Sequence, residues 1–410
     1  MTGPAAVGPV VGPVSGDRAV LLERLLAFAA GSRLERGFGH LGRDGTVNTG
    51  RGPELWINAR MTYVFSLASL LGVPGAADLA RHGIETLGGP FEDRAHGGWW
   101  SALDGDGRPM GDTKSCYDHA FVVLAAATAA VAGVPAADGL LDRALAVHAE
   151  RFWDEGRGLC VEQWSGDWSR AEDYRGANGC MHTVEAYLVA ADATCDPVWR
   201  GRALRIAEHL VDRVARAHAW RVVEHFDADW RPLPEHHRDR PADPFRPYGA
   251  TPGHGLEWAR LLVHLHAAHE RAGDPPPGWL LEAARGLFDR AAADADGGRA
   301  GFPYTTDWSG VPVVDQRFHW VHCEAVLAAD ALARATGEER YADLAARWWS
   351  FTVDHLVEPD GSWLHELGPD LAPAALTWPG KPDAYHALNA LLLPSLPLAP
   401  SAAVALAASR

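Results

Sequence analysis

Four consecutive strings decide the fold: GGWWSALDGDG (97–107), HAFVVLAAATAAVAG (119–133), GLLDRALAVHAERFW (139–153) and GLCVEQWSGDW (158–168). The first and last are the same device, a glycine- and aromatic-rich turn segment. Between them lie two helical patterns of different character. HAFVVLAAATAAVAG is apolar on all sides and belongs in an interior, whereas GLLDRALAVHAERFW carries charge on one face and belongs outside. The unit recurs. Turn segments begin at 37 (GFGHLGRDG), 97, 158, 220 (WRVVEHFDADW), 301 (GFPYTTDWSG) and 361 (within DGSWLHEL), spaced by 60, 61, 62, 81 and 60 residues. Six copies of an inner and an outer helix predict an all-α (α/α)6 barrel with short β-like hairpins. The stretched spacing maps to one long Pro-rich, charged loop, PEHHRDRPADPFRPYGATP (234–252), and loops of this length are often lids.

Outside the repeats, residues 1–16 (MTGPAAVGPVVGPVSG) read as a flexible tail without the basic and apolar regions of a signal peptide. The barrel is expected over 17–398 as one catalytic domain, with a C-terminal tail at 399–410. A formal charge of −16 excludes a nucleic-acid or anionic-membrane partner, since phosphate binding needs a clustered basic face. No apolar run is long enough to span a bilayer. Five scattered cysteines, none in a CxxC pair, predict a reduced, cytoplasmic protein without a disulfide framework. Outer helices could form a homodimer, but no apolar stripe identifies the face. Many of the seventeen tryptophans belong to a helical core, and a subset lining a concave site would suit the apolar C–H faces of a sugar.

Each inner helix opens on a polar residue at an equivalent place: Arg60, His119, His182, His254, His322 and His386, spaced by 59, 63, 72, 68 and 64. One histidine on an apolar helix is usually a satisfied core group. Six titratable or cationic groups at one repeat phase predict a shared polar cavity where the helix starts converge. Glu185 lies three residues after His182 and Glu257 three after His254, a spacing that puts each pair on one helix face. His322 and Glu324 are two apart and face different ways, so Glu324 is expected to meet substrate or a neighbouring helix. An imidazole titrating near neutrality can remove a proton beside a carbonyl and can also donate one.

The ordered strings RMTYVF (60–65), NGCMHTVEA (178–186), GATPGHGLEWARLL (249–262), HWVHCEAVLAADAL (319–332) and KPDAYH (381–386) resemble the N-acylglucosamine 2-epimerase superfamily over about residues 20–395. GHGLEWARLL and HWVHCEA are closest to its mannose and sulfoquinovose aldose–ketose isomerases. The resemblance implies a metal-independent, cofactor-free isomerase acting on a small sugar such as mannose through a cis-enediolate. It implies His254 and His386 as the acid/base pair. Arg60, Asn178, His182 and Glu257 would hold hydroxyls, Trp320 would wall the pocket, Tyr117 and Glu324 would join them, and Arg246 would reach the distal end of the substrate.

Other readings remain open at this point. A sulfoquinovose isomerase would need cations at the distal end, which Arg246 allows. A 2-epimerase would need proton delivery from the opposite face. A glycoside hydrolase on the same fold would need two opposed carboxylates, such as Asp118 and Glu324. A non-catalytic sugar-binding protein would have no use for the histidines. A metal would have to use Cys180 with His182, or His322 with Cys323, and neither spacing is a zinc signature.

Overall fold

The computed structural model describes residues 13–295 and 300–410. In chain order its helices are α1 (Asp17–Ala30), α2 (Leu55–Leu70), α3 (Ala76–Leu87), α4 (Cys116–Val131), α5 (Ala137–Val147), α6 (Ala177–Thr194) and α7 (Pro197–Ala207). They continue with α8 (Pro252–Arg271), α9 (Trp279–Ala295), α10 (His319–Thr336), α11 (Glu339–His355), α12 (Tyr385–Leu392) and α13 (Ala402–Ala408). The even-numbered helices pack side by side as a closed ring, α2–α4–α6–α8–α10–α12–α2. Outside it, α3, α5, α7, α9 and α11 each lie against the inner helix that precedes them, and α1 backs α12. The barrel is thus an (α/α)6 barrel whose sixth outer helix comes first in the chain.

The inner helices are buried all round, as their sequences predict. In α2 every residue except Ser69 is buried. Apolar burial contributes about 1.5–3 kcal/mol for a large side chain, so a truncation such as Leu67→Ala costs about 2–5 kcal/mol. The outer helices bury one face only: α11 buries Tyr341, Trp348 and Thr352 and leaves its charges outside.

Each inner helix is entered from an extended segment that pairs with the turn segment of the following repeat. Thr113–Ser115, before α4, pairs with Gln163–Ser165; Tyr174–Gly176, before α6, with His225–Asp227; Arg317–Phe318, before α10, with Glu366–Leu367. Single bridges do the same before α2 (Glu54 with Ala102), α8 (Ala250 with Thr306) and α12 (Lys381 with Leu41). The last of these joins the end of the ring to its beginning. All six inner helix starts are therefore tied to one rim, with their unpaired backbone N–H groups at that end.

Two expectations about the termini change. Residues 1–12 of the proposed tail lie outside the described residues, while Val14 is buried. The C-terminal segment is no tail: α13 buries Ala403 and Leu406 against α2, α4 and α6, and Arg410 Nε donates to Leu70 O. Its sequence, AAVALAA, is a good helix former with an apolar face, which the short length concealed. No described helix is long and apolar enough to cross a membrane.

Candidate active site

A funnel opens at the rim where the inner helices begin. Its walls include Arg60, Tyr117, Asn178, His182, His254, Glu257, Trp320 and His386, so eight of the ten residues expected from sequence meet in one cavity. The other two do not line it. Arg246 forms a two-pronged salt bridge with Glu172, 2.8 Å for each N–O pair, and lies over the Tyr174 ring at 3.9 Å. The long loop reaches the cavity with Pro244 and Phe245 instead. Glu324 sits one layer deeper, against a neighbouring helix.

The six-membered polar series also divides. His119 and His322 hold the fold: each ring binds the carbonyl four residues back, and its Nε2 accepts from a turn-segment amide, Trp99 N at 3.1 Å and Phe302 N at 3.3 Å. Asn58 does the same for Phe38 N at 2.7 Å. The separation is twenty residues in all three repeats, so His119 and His322 correspond to Asn58. The positions equivalent to Arg60 are Phe121 and Glu324, both two residues further on. Arg60 lies over the Phe121 ring at 4.4 Å.

The two histidines expected to do acid/base work share one arrangement. His254 Nδ1 is 2.9 Å from Glu224 Oε1, and His386 Nδ1 is 3.0 Å from Glu324 Oε1. A carboxylate can only accept, so Nδ1 carries the hydrogen and Nε2 keeps its lone pair. Both rings pack on Trp320, with centroids 5.2 Å and 5.8 Å away. Trp320 approaches α8 that closely because residue 253 is glycine; a Cβ there would stand 2.5 Å from the indole. Burial, and then the nearby Arg60 charge, push His386 well below the ordinary imidazole pKa, so it is neutral at pH 7.

Glu224 was not found from the sequence, because it sits in the turn segment WRVVEHFDADW, thirty residues before the histidine it orients. Glu257, the expected partner of His254 by spacing, turns inward, 3.5 Å from Arg260 and 3.9 Å from His182. Burial, then the neighbouring Glu324, raise Glu257 well above the usual carboxylate range. Burial also lowers His182 to about 4. Arg60 is gripped by Asp383 (3.2 Å) and the Tyr117 hydroxyl (3.0 Å), while its Nε finds no partner. Asp383, Arg260, His319, His365, Trp56 and Trp378 were likewise not singled out in sequence, though Asp383 and Arg260 stand inside the quoted KPDAYH and GHGLEWARLL strings.

The alternative chemistries find less support in this geometry. Asp118 sits in the first turn of α4, outside the cavity wall, with its amide on the Ser115 cap. It does not oppose Glu324. Both nitrogens of His322 are used by backbone groups, so the His322–Cys323 pair offers no imidazole ligand. Among the described residues, three groups bring their ligand atoms within 4.8 Å of one another: Cys116, His148 and Cys160; His182, Glu185 and Glu257; and Glu257, Glu324 and His386. The first is a buried hydrogen-bonded cluster, with His148 also held by Tyr187 and Thr183, and the other two share Glu257 at the cavity.

A twelve-helix barrel whose funnel holds His254 and His386, both backed by a carboxylate, defines a class of enzymes that move protons on a small polar molecule. The chain belongs to the N-acylglucosamine 2-epimerase (GlcNAc 2-epimerase) family, whose model matches residues 37–390. It is 48% identical to a D-mannose isomerase of Pseudomonas cannabina pv. alisalensis over 94% of this chain and 93% of that one. It is 50% identical to a D-mannose isomerase of Thermobifida fusca over 94% and 95%. A crystal structure of a D-mannose isomerase superposes with a TM-score of 0.85 at 29% identity, covering 92% of this chain and 96% of that one.

Proposed function

We propose that the protein is an aldose–ketose isomerase that interconverts D-mannose and D-fructose. The observation that carries this reading is a cavity whose buried polar atoms lack partners: Arg60 Nε, Asn178 Oδ1 and both ring nitrogens of His319. Burying such groups unpaired costs about 1–3 kcal/mol each, a penalty that a polyhydroxylated ligand removes. Trp56, Trp320 and Trp378 supply apolar walls for ring carbons. Similarity to two D-mannose isomerases at about half identity supports the choice of sugar.

Charge argues for a neutral hexose rather than a sulfonated or phosphorylated one. Arg60 is the one cationic side chain among the described lining residues, and Asp383 already neutralises it. Arg246, the group that would have met a distal anion, is bound to Glu172.

In the reaction, His254 passes the proton of the anomeric hydroxyl to the ring oxygen, so that the C1–O5 bond breaks as the C1 carbonyl forms and the sugar opens to its aldehyde. His386 Nε2 then removes the C2 proton. The electron pair forms the C1–C2 double bond, and the carbonyl oxygen becomes the enediolate oxygen, which Arg60 stabilises. Glu257, whose acid form burial favours, donates a hydrogen bond to the same oxygens. The O2 proton shifts to O1, and His386 returns its proton to C1 on the same face, giving the ketose. One base suffices for this outcome, whereas C2 epimerisation needs delivery from the other face.

Carbon NMR of the protein with D-mannose tests the proposal. Fructose is expected before glucose, in deuterated water with label at C1, and mannose 6-phosphate is expected to stay unchanged. Turnover of mannose 6-phosphate at a rate equal to mannose, or glucose as the first product, overturns it.

A further inference from the structure

Directly beneath the cavity, Arg260 of α8 is a buried cation in contact with three carboxylates. Its Nε is 2.7 Å from Glu324, and its Nη2 is 3.5 Å from both Glu185 and Glu257. It does not line the cavity. The groups around it come from five elements: Tyr63 of α2, Glu185 and His182 of α6, Glu257 and His264 of α8, Glu324 of α10, and Tyr385 and His386 of α12. Three acids thus stand around this cation, and Glu257, His182 and His386 connect the group to the cavity wall.

We propose that Arg260 is the positioning residue that fixes the proton-accepting form of His386. The bidentate hold on Glu324, through Nε and Nη2, keeps that carboxylate ionised. An ionised Glu324 can only accept, so His386 carries its hydrogen on Nδ1 and offers a bare Nε2 to the sugar. Take the guanidinium away and Glu324 is left beside Glu185 and Glu257 in an apolar surround. It then binds a proton, donates to Nδ1, and drives the imidazole hydrogen to Nε2, where it blocks C2 deprotonation. Burial already raises Glu324 against the pull of Arg260. Arg260 also restrains Glu185, which the His182 contact and the guanidinium hold down at about 2 against burial. The same cation therefore serves the helices behind both His182 and His386. This inference rests on reading His386 as the base.

The test is Arg260→Met against Glu324→Gln, each compared with the unaltered chain. Both are expected to lower kcat on the order of 10⁴-fold, the loss seen when a base is held in the wrong tautomer, with KM for mannose changed less than about threefold. The rate of Arg260→Met should recover as pH rises, because Glu324 then loses its extra proton; its acid limb shifts upward by more than one pH unit. A residue of purely structural importance would lower the rate equally at every pH and leave the limb in place. Imidazole ¹⁵N NMR reads the tautomer without any turnover: the His386 hydrogen should pass from Nδ1 to Nε2 in both variants. Should Arg260→Met not fold, Arg260→Met/Glu185→Gln, which removes one charge of each sign, carries the same two readouts. An unmoved acid limb, or Nδ1–H retained in the variant, overturns the proposal. A chain inactive on every sugar but showing the tautomer change would instead sink the isomerase reading and leave Arg260's role standing.

Discussion

Glu224→Gln isolates the contribution of one hydrogen bond to catalysis. Glu224 Oε1 is 2.9 Å from His254 Nδ1, both groups are largely withdrawn from water, and Glu224 itself does not line the cavity. Glutamine keeps the shape and removes the charge. A hydrogen bond to a charged group is worth about 1.5–3 kcal/mol, and every 1.4 kcal/mol is tenfold in rate, so the loss in kcat is roughly 10- to 150-fold. If the amide turns its NH2 toward Nδ1, the ring loses its free Nε2 and the fall is larger. Because no contact with the sugar is removed, KM should stay within about twofold. The assay is initial-rate fructose formation from mannose at several concentrations near pH 7.5, with circular dichroism as the folding control. An unchanged kcat, or a loss confined to KM, would refute the argument that the turn-segment carboxylate orients the imidazole.

Stability should depend steeply on acid. Burial lowers His182, His264, His319 and His322 to about 4 and His119 to about 3, against about 6.5 in the unfolded chain. Between those values the unfolded state binds protons that the folded state refuses, so stability falls as pH drops from about 6.5 toward 4, by about 1.4 kcal/mol per histidine per pH unit. Denaturant midpoints flat across pH 7–5 would contradict this. Gly253→Ala places a Cβ 2.5 Å from Trp320 and 2.8 Å from Val321, costing about 1–3 kcal/mol of strain. Displacing that indole from both histidines should lower kcat/KM tenfold or more in a chain that still folds. Exhaustive chelation should leave mannose turnover within about twofold; loss that zinc restores would direct attention to Cys116, Cys160 and His148.

The sixfold order was legible because it is written in two repeating signals, the glycine–aromatic turns and the contrast between all-round apolar and one-faced helices. Neither depends on long-range contact. Position within the inner helix was harder. His119 and His322 look like Arg60 in sequence, yet a two-residue difference rotates a helical side chain by more than half a turn, from the cavity to the turn segment. Helical spacing likewise paired His254 with Glu257, because a partner three residues away is visible in a string and one thirty residues away in a different element is not. Arg246 was misjudged for a related reason. A cation in a loop advertises itself, while its neutralising Glu172 sits 74 positions earlier. The positions carried over by family resemblance converged better than those argued from phase alone, since eight of ten line one cavity.

The bridge between Leu41 and Lys381 has a consequence for how the molecule comes into being. During synthesis, the segment bearing His386 must dock against a turn made some 340 residues earlier. Until it does, the funnel lacks a wall and the imidazole proposed as the base, so a nascent chain with five of six inner helices has no partial competence to trade on. Activity and ring closure therefore arrive together.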